Sequence, residues 1–148
     1  MKGSVSMKLF TLMSSHSSRS AKRFLTEHNF AFEECRMSKG DFTFDMFKYM
    51  MSRTEFGASD ILANSKKLRE INASDKTIDD YTLSELYNLV FKYPTLMRAP
   101  ILISQNRMII GFDLSMYESL MPRHIRKKAY YDALDKANAE DNEMLMPQ

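Results

Sequence analysis

Ser15 and Ser18 stand where this chain is best placed for chemistry. They belong to a serine-rich turn at residues 14–18, between a short apolar run and an amphipathic stretch. The first turn of a helix offers unpaired backbone N–H groups and a partial positive charge, a setting that suits an anion or a thiolate. Both places hold hydroxyls. A serine becomes a nucleophile only beside a base, and the nearest candidate, His16, adjoins Ser15 in sequence and is expected to point out of the turn. The favoured reading is therefore that these hydroxyls cap the helix. Cys35 is the sole cysteine, so an intramolecular disulfide is impossible. It falls on a predicted strand and is expected to be a buried, inert thiol, with an intermolecular disulfide or modification as the sharper alternative. His16, His28 and His124 have no metal-ligand spacing with one another or with Cys35, and no metal or cofactor is expected. Two basic clusters, Lys66, Lys67 and Arg69, and Arg123, Arg126, Lys127 and Lys128, read by default as solvated faces. If both faced one side they would suit DNA phosphate, whose neutralisation adds over sites.

The elements that must position these residues follow from periodicity. Residues 8–12 form an apolar run suited to a buried strand. Ala21, Phe24, Leu25 and His28 then recur at i, i+3, i+4 and i+7, one face of a helix. Residues 30–36 alternate and predict a second strand, completing a βαβ unit. After Gly40 the period becomes helical. Thr43 caps a helix bearing Phe44, Phe47 and Met51, with Met46 and Met50 beside that stripe, and Thr54–Glu55–Phe56–Gly57 stops it, with Gly57 the natural left-handed residue. Short helical pieces are expected at residues 59–63 and 65–71. Thr82 and Glu85 have the spacing of a capping box ahead of Leu86 and Val90. Residues 42–93 thus read as a helical insertion. Pro94 ends it. Residues 101–104 and 107–112 predict a hairpin about a Gln105–Asn106 turn, Asp113 caps a helix at 114–120, and Pro122 opens a longer one.

Bulk properties bound the class. The 148 residues are 44% hydrophobic with a net charge of +2, enough for one core and too near neutral to mark a nucleic-acid binder. Thirteen methionines supply adaptable packing. No apolar run nears the ~18 residues of a membrane span, residues 1–6 lack an apolar signal core, and one cysteine suits a reducing cytoplasm. We expect a single domain at 7–138, flanked by flexible segments at 1–6 and 139–148.

The order of these elements resembles the arsenate reductase–Spx family, and most closely its Spx branch, transcription regulators of Firmicutes. The resemblance is carried by LFT before the serine turn, TEFGASDIL, LSELYNLVFKYPTLMRAPILI and LMPRHIRKK, and it spans about residues 7–137. It implies a thioredoxin/glutaredoxin-like mixed four-stranded sheet with an inserted helical subdomain, and a cis proline at Pro100. Ser15 and Ser18 then occupy the family's Cys-x-x-Cys positions, Ala99 an arginine position before the proline, and Ser65 an arginine position of the insert. The resemblance further implies docking of the insert on the C-terminal domain of the RNA polymerase α subunit, through Met50, Ser52, Arg53, Glu55 and Gly57. The family's contact arginine aligns with Ser52, while Arg53 lies one place on, a turn of about 100° on a helix. The expectation is a non-enzymatic regulator without a disulfide switch, controlled by abundance, for example through a protease adaptor, and meeting promoter DNA indirectly or through Lys66, Lys67, Arg123, Arg126 and Lys127. The rival readings are an arsenate reductase- or glutaredoxin-type oxidoreductase and a degenerate binding module of the same fold.

Overall fold

A computed structural model describes residues 7–63, 70, 78–121, 132 and 134–137. The chain divides into two compact units, residues 1–112 and 113–148. In the first, a sheet of four strands has the order β2-β1-β3-β4. β1 (Met7–Thr11) runs parallel to β2 (Glu33–Arg36) and antiparallel to β3 (Ile101–Ser104), which pairs in turn with β4 (Arg107–Ile110). The register sets Leu9 opposite Leu102 and Phe10 opposite Ile101. All four of these side chains are buried, as a strand paired on both edges and covered on both faces requires.

α1 (His16–Glu27) crosses from β1 to β2 and buries Ala21, Phe24 and Leu25, the face its periodicity predicts. His28 lies beyond it as the C-cap, its ring stacked on Phe24 at 4.1 Å. The second strand is shorter than residues 30–36. Asn29 adopts φ 59° and the Phe30 N–H bonds back to the Leu25 carbonyl, so the chain is still closing the helix where the alternation begins. Phe30 instead stacks against Phe24.

The insertion opens with α2 (Phe44–Ser52), capped by the Thr43 hydroxyl, which accepts from Met46 N–H. α3 (Leu83–Lys92) carries the expected capping box between Thr82 and Glu85. The two helices meet the sheet through an aromatic seam. Phe42 lies 5.8 Å from Phe10, 6.1 Å from Phe47 and 6.1 Å from Tyr87, and its carbonyl accepts from the Tyr87 hydroxyl at 2.6 Å. A bridge between Leu62 and Met97 ties the far end of the insertion to the segment entering β3. The piece expected at 59–63 is a 3-10 turn at Ala58–Asp60. The expected helix at 65–71 lies outside the described residues but for residue 70. Pro94 starts a 3-10 turn, Pro94–Leu96, at a position where its missing N–H costs nothing. β4 stops at Ile110, because Gly111 turns away with φ 82° and its N–H bonds to the Pro100 carbonyl.

In the second unit, Asp113 caps α4 (Leu114–Glu118) by accepting from Met116 N–H. The helix ends two residues before the expected Leu120. The segment after Pro122, with His124 and its basic cluster, lies outside the described residues.

On the α1 side of the sheet, Glu34 accepts from the Thr11 hydroxyl at 2.9 Å and pairs with Lys22 at 2.9 Å. Burial pushes its carboxyl up, but the hydrogen bonds from Lys22 and Thr11 and the charges of Lys22 and Arg36 outweigh that and hold it below 4.5. A carboxyl lowered on folding stabilises above its unfolded pKa and loses that contribution as pH falls through its folded value. Glu34→Gln is therefore expected to cost on the order of 1 kcal/mol or less near neutrality, since Lys22 is solvated. Urea midpoints over a pH series should show the difference from the parent shrink and vanish as pH falls through the acid range in which the folded carboxyl takes up its proton.

Candidate functional site

The end of β1 and the start of α1 are held together by the two serines. Ser15 is the N-cap, in an extended conformation, and its hydroxyl accepts from Ser18 N–H at 3.0 Å. Ser18 is 3% exposed, and its hydroxyl accepts from Leu12 N–H at 3.2 Å. Each hydroxyl therefore satisfies a backbone donor that the turn would otherwise strand. His16 begins α1 and is exposed, as expected of a ring turned away from the site. Arg19 reaches back to donate to the Met13 carbonyl at 3.2 Å, closing the turn from outside.

Beside the serine turn lies a shallow cavity of about 340 Å³, with Leu12, Ser15, Met97, Arg98, Ala99 and Gly111 in its wall. The Ala99–Pro100 bond is cis, as the family pattern implied. A small methyl side chain at Ala99 contributes no charge here. Arg98 is an exposed cation in that wall, and its backbone N–H is fixed by the Ile61 carbonyl at 2.7 Å.

Cys35 lies on β2, 3% exposed, with its thiol 3.9 Å from the Met46 sulfur. Burial, then the charge of Asp41, push that thiol up to about 11. It packs in the core cluster with residues of the insertion, among them Phe42, Phe47 and Met50. Among the described residues no cluster of three or more His, Cys, Asp or Glu side chains is arranged to hold a metal ion.

A second candidate surface is the edge where α2 ends. Met50 is fully buried and packs in the core, so its side chain anchors the helix and offers nothing to a partner, contrary to its assignment as a contact. The helix stops at Ser52, with Arg53 as its C-cap, just before the Thr54–Gly57 segment expected to stop it. Ser52, Arg53 and Glu55 are exposed. Arg53 covers the Tyr49 ring at 5.2 Å, donates through Nε to the Tyr49 hydroxyl at 3.2 Å, and donates through Nη2 to Asn106 Oδ1 at 3.3 Å. The Tyr49 hydroxyl in turn donates to the Gln105 carbonyl at 3.4 Å. The β3–β4 turn thus braces the end of α2, a link that no local pattern in the sequence announces.

Gly57 takes φ 89° and ψ −153°, a region open essentially to glycine alone. A Cβ there would meet nothing within 4 Å, so the requirement comes from the backbone and not from space. The glycine is the entry to the 3-10 turn Ala58–Asp60, not the left-handed stop of α2. The Asp60 carboxylate accepts from Glu55 N–H at 2.8 Å and Phe56 N–H at 3.0 Å, closing the loop. Ser65, Lys66, Lys67, Arg69, Arg123, Arg126, Lys127 and Lys128 all lie outside the described residues.

A sheet of order β2-β1-β3-β4 with a cis proline beside the first helix, and a helical insertion before that proline, defines a thioredoxin-like protein of the arsenate-reductase type. The chain belongs to the ArsC family, whose profile matches residues 10–120. It is 33% identical over 119 residues to global transcriptional regulator Spx 2 of Bacillus cereus, covering 80% of this chain and 88% of that protein. It is also 33% identical over 132 residues to global transcriptional regulator Spx of Streptococcus mutans, covering 89% and 95%. Among solved structures it resembles a possible arsenate reductase from Streptococcus mutans, with a TM-score of 0.60, 14% identity and coverage of 74% of this chain and 92% of that one. An arsenate reductase from Vibrio cholerae gives a TM-score of 0.58 at 14% identity, covering 73% and 91%. These two likenesses establish the shared fold.

Two outcomes follow. Ser18→Ala leaves the buried Leu12 N–H without its acceptor and should cost about 1–3 kcal/mol in urea unfolding, while Ser15→Ala, the loss of an N-cap, should cost about 1 kcal/mol. Iodoacetamide at about pH 8 should leave Cys35 unmodified in the native protein and label it in urea, because alkylation requires the thiolate; mass spectrometry of the two samples reads the difference.

Proposed function

We propose that this chain is a non-enzymatic transcription regulator of the Spx type, which docks on the C-terminal domain of the RNA polymerase α subunit and alters promoter engagement without a disulfide switch. The observation that carries this reading is the similarity to Spx regulators over four-fifths or more of the chain, combined with a formed edge at which Ser52, Arg53 and Glu55 are exposed and Gly57 is half-buried. The frame is kept while its chemistry is absent: Ser15 and Ser18 spend their acceptor oxygens on backbone N–H groups. A serine nucleophile needs a base within hydrogen-bond reach, and His16 is turned to solvent.

In this reading Arg53 is the cation of the docking edge, held over Tyr49 so that its guanidinium is already ordered when a partner arrives. Promoter DNA is met through the bound polymerase, with Lys66, Lys67, Arg123, Arg126 and Lys127 as candidate phosphate contacts. Activity then follows the amount of protein in the cytoplasm, set by a protease and its adaptor, or by competition with thiol-bearing relatives for the same polymerase surface.

Calorimetric titration of the full chain with the isolated polymerase domain should give a complex at micromolar concentration or tighter. Gly57→Ala forces the docking loop out of a glycine-only conformation, a strain on the order of 1–3 kcal/mol, and should weaken the complex measurably while leaving the helical circular dichroism intact. Absence of binding by the parent chain, or thiol-dependent arsenate turnover abolished by Cys35→Ser, would overturn the proposal.

A further inference from the structure

We propose that the exposed face of α1 is a phosphate-binding surface that lies along the backbone of double-stranded DNA, through Arg19 and Arg23 with Arg98 beside them. α1 buries Ser18, Ala21, Phe24 and Leu25, so at about 100° per residue the opposite face is centred on His16, Arg19, Arg23 and Thr26. All four are exposed. Arg19 uses one donor, at Nη1, on the Met13 carbonyl at 3.2 Å, which leaves most of its guanidinium fork open. Arg23 makes no ion pair or hydrogen bond among the described residues. Lys22, on the flank, is already answered by Glu34 at 2.9 Å. Arg98, exposed in the wall of the cavity that Ser15 also lines, continues the cationic surface past the start of the helix.

This charge pattern works against the helix that carries it. α1 has no acidic side chain in its first turn and no basic one in its last, so neither end of its dipole is compensated. Arg19 and Arg23 stand four apart, where like charges repel across one turn. Glu27, the one acidic residue of the helix, is its final residue, at the end where the dipole disfavours it. A solvated face arranged for stability would carry the opposite order. Choices that weaken a fold locally mark places where something outside the fold is bound, and the charge this face lacks is negative.

The chemistry of the face suits DNA rather than a protein or a membrane. Around the arginines stand the hydroxyls of Ser17, Ser20 and Thr26, which bond phosphate oxygens as arginine does. Of the large apolar side chains exposed among the described residues, none is on α1: Phe56, 77% exposed, is on the loop after α2, and Met13 is in the serine turn. Protein interfaces have an apolar centre and membrane-bound helices an apolar face, whereas DNA interfaces are polar and strongly positive. From His16 to Arg23 the helix rises about 10 Å, against one phosphate charge per about 1.7 Å of duplex axis, so several phosphates lie within reach of the ridge. Contacts of this kind hold the backbone and carry no sequence preference. They need no polymerase, so the surface stands apart from the docking edge.

Fluorescence anisotropy of a labelled duplex of arbitrary sequence, titrated with the full chain over a salt series, provides the test. The parent should bind with a Kd of about 1–100 μM at low salt. The double variant Arg19→Gln, Arg23→Gln should bind about tenfold more weakly and lower the slope of log K against log salt by about 1.8, two phosphate contacts at about 0.9 each. Its thermal melt should stay level or rise, because the charges removed opposed the dipole and each other. Arg23→Gln alone, at a side chain that touches nothing, should lower the slope by about half as much. Lys48→Gln with Lys92→Gln, which removes the same charge from other helices, should bind as the parent does. Parent-like affinity and slope in the double arginine variant, or a parent that fails to bind the duplex at low salt, would overturn the proposal and leave the docking reading standing. Tighter binding of the parent to polyglutamate, or to vesicles of phosphatidylcholine and phosphatidylserine, lost in the same variant, would assign the face to an acidic protein or an anionic membrane and overturn it as well.

Discussion

The contact on which the rest of the first unit depends is the aromatic seam about Phe42. α2 and α3 are each too short to be stable alone in water, so they depend on packing of this kind against the sheet. Phe42 contacts Phe10 of the central strand on one side and Phe47 and Tyr87 of the insertion on the other. Aromatic contacts of this kind add about 0.5–1.5 kcal/mol each beyond the area they bury. The seam seats α2 on the sheet through Phe47, and the β3–β4 turn braces the end of α2, where Ser52, Arg53 and Glu55 are exposed. The serine turn, which follows Phe10 at the same end of that strand, inherits its position from the sheet.

Replacing a thiol by a hydroxyl in such a turn changes the chemistry more than the structure. A thiol at a helix start gains thiolate character, because the partial positive charge there favours the anion. A hydroxyl gains nothing comparable, being far from ionisation, but it accepts hydrogen bonds better than sulfur does. Ser15 and Ser18 use that property, one as N-cap and the other tying the end of β1 to α1. The single thiol, Cys35, is buried on β2 against the insertion core, and burial pushes it towards the neutral form. Local hydrogen bonds from the two hydroxyls thus hold the end of β1 to the start of α1.

What could be read from the sequence was what depends on neighbours in sequence. The caps at Ser15, Thr43, Thr82 and Asp113 each need one side chain and one N–H three residues on, and all four form. The β hairpin at Gln105–Asn106 and the buried face of α1 are local in the same sense. The misreadings share the opposite character. The alternation from Phe30 resembles a strand, yet Phe30 is bonded to Leu25 and stacks on Phe24, so packing rather than a ladder explains its apolar side chain. Met50 shares a helix with exposed neighbours, and only the tertiary position of α2 buries it. The clasp of Arg53 on Asn106 joins residues 53 positions apart. Phe56 is the hardest case, because a phenylalanine in a sequence reads as core, and exposure is a property only the fold can assign.

Gly57 shows how a correct residue can be given the wrong work. Its positive φ was legible, because glycine after a helical stripe is a common stop signal. A left-handed stop, however, needs ψ near that of the helix mirror image, and here ψ is −153°. That single angle converts the residue from the end of one helix into the beginning of the next turn, and four residues of irregular chain are released between them. Those residues hold Glu55 and Phe56. Had the glycine closed α2 directly, the helix would have carried their positions onto its own surface, with their backbone N–H groups consumed by the helical ladder. Because it does not, the two N–H groups are free to bind Asp60, and the loop acquires its shape from that carboxylate. A conformational freedom held by one residue type thus determines whether this edge is a featureless helix end or a projecting loop with an aromatic tip.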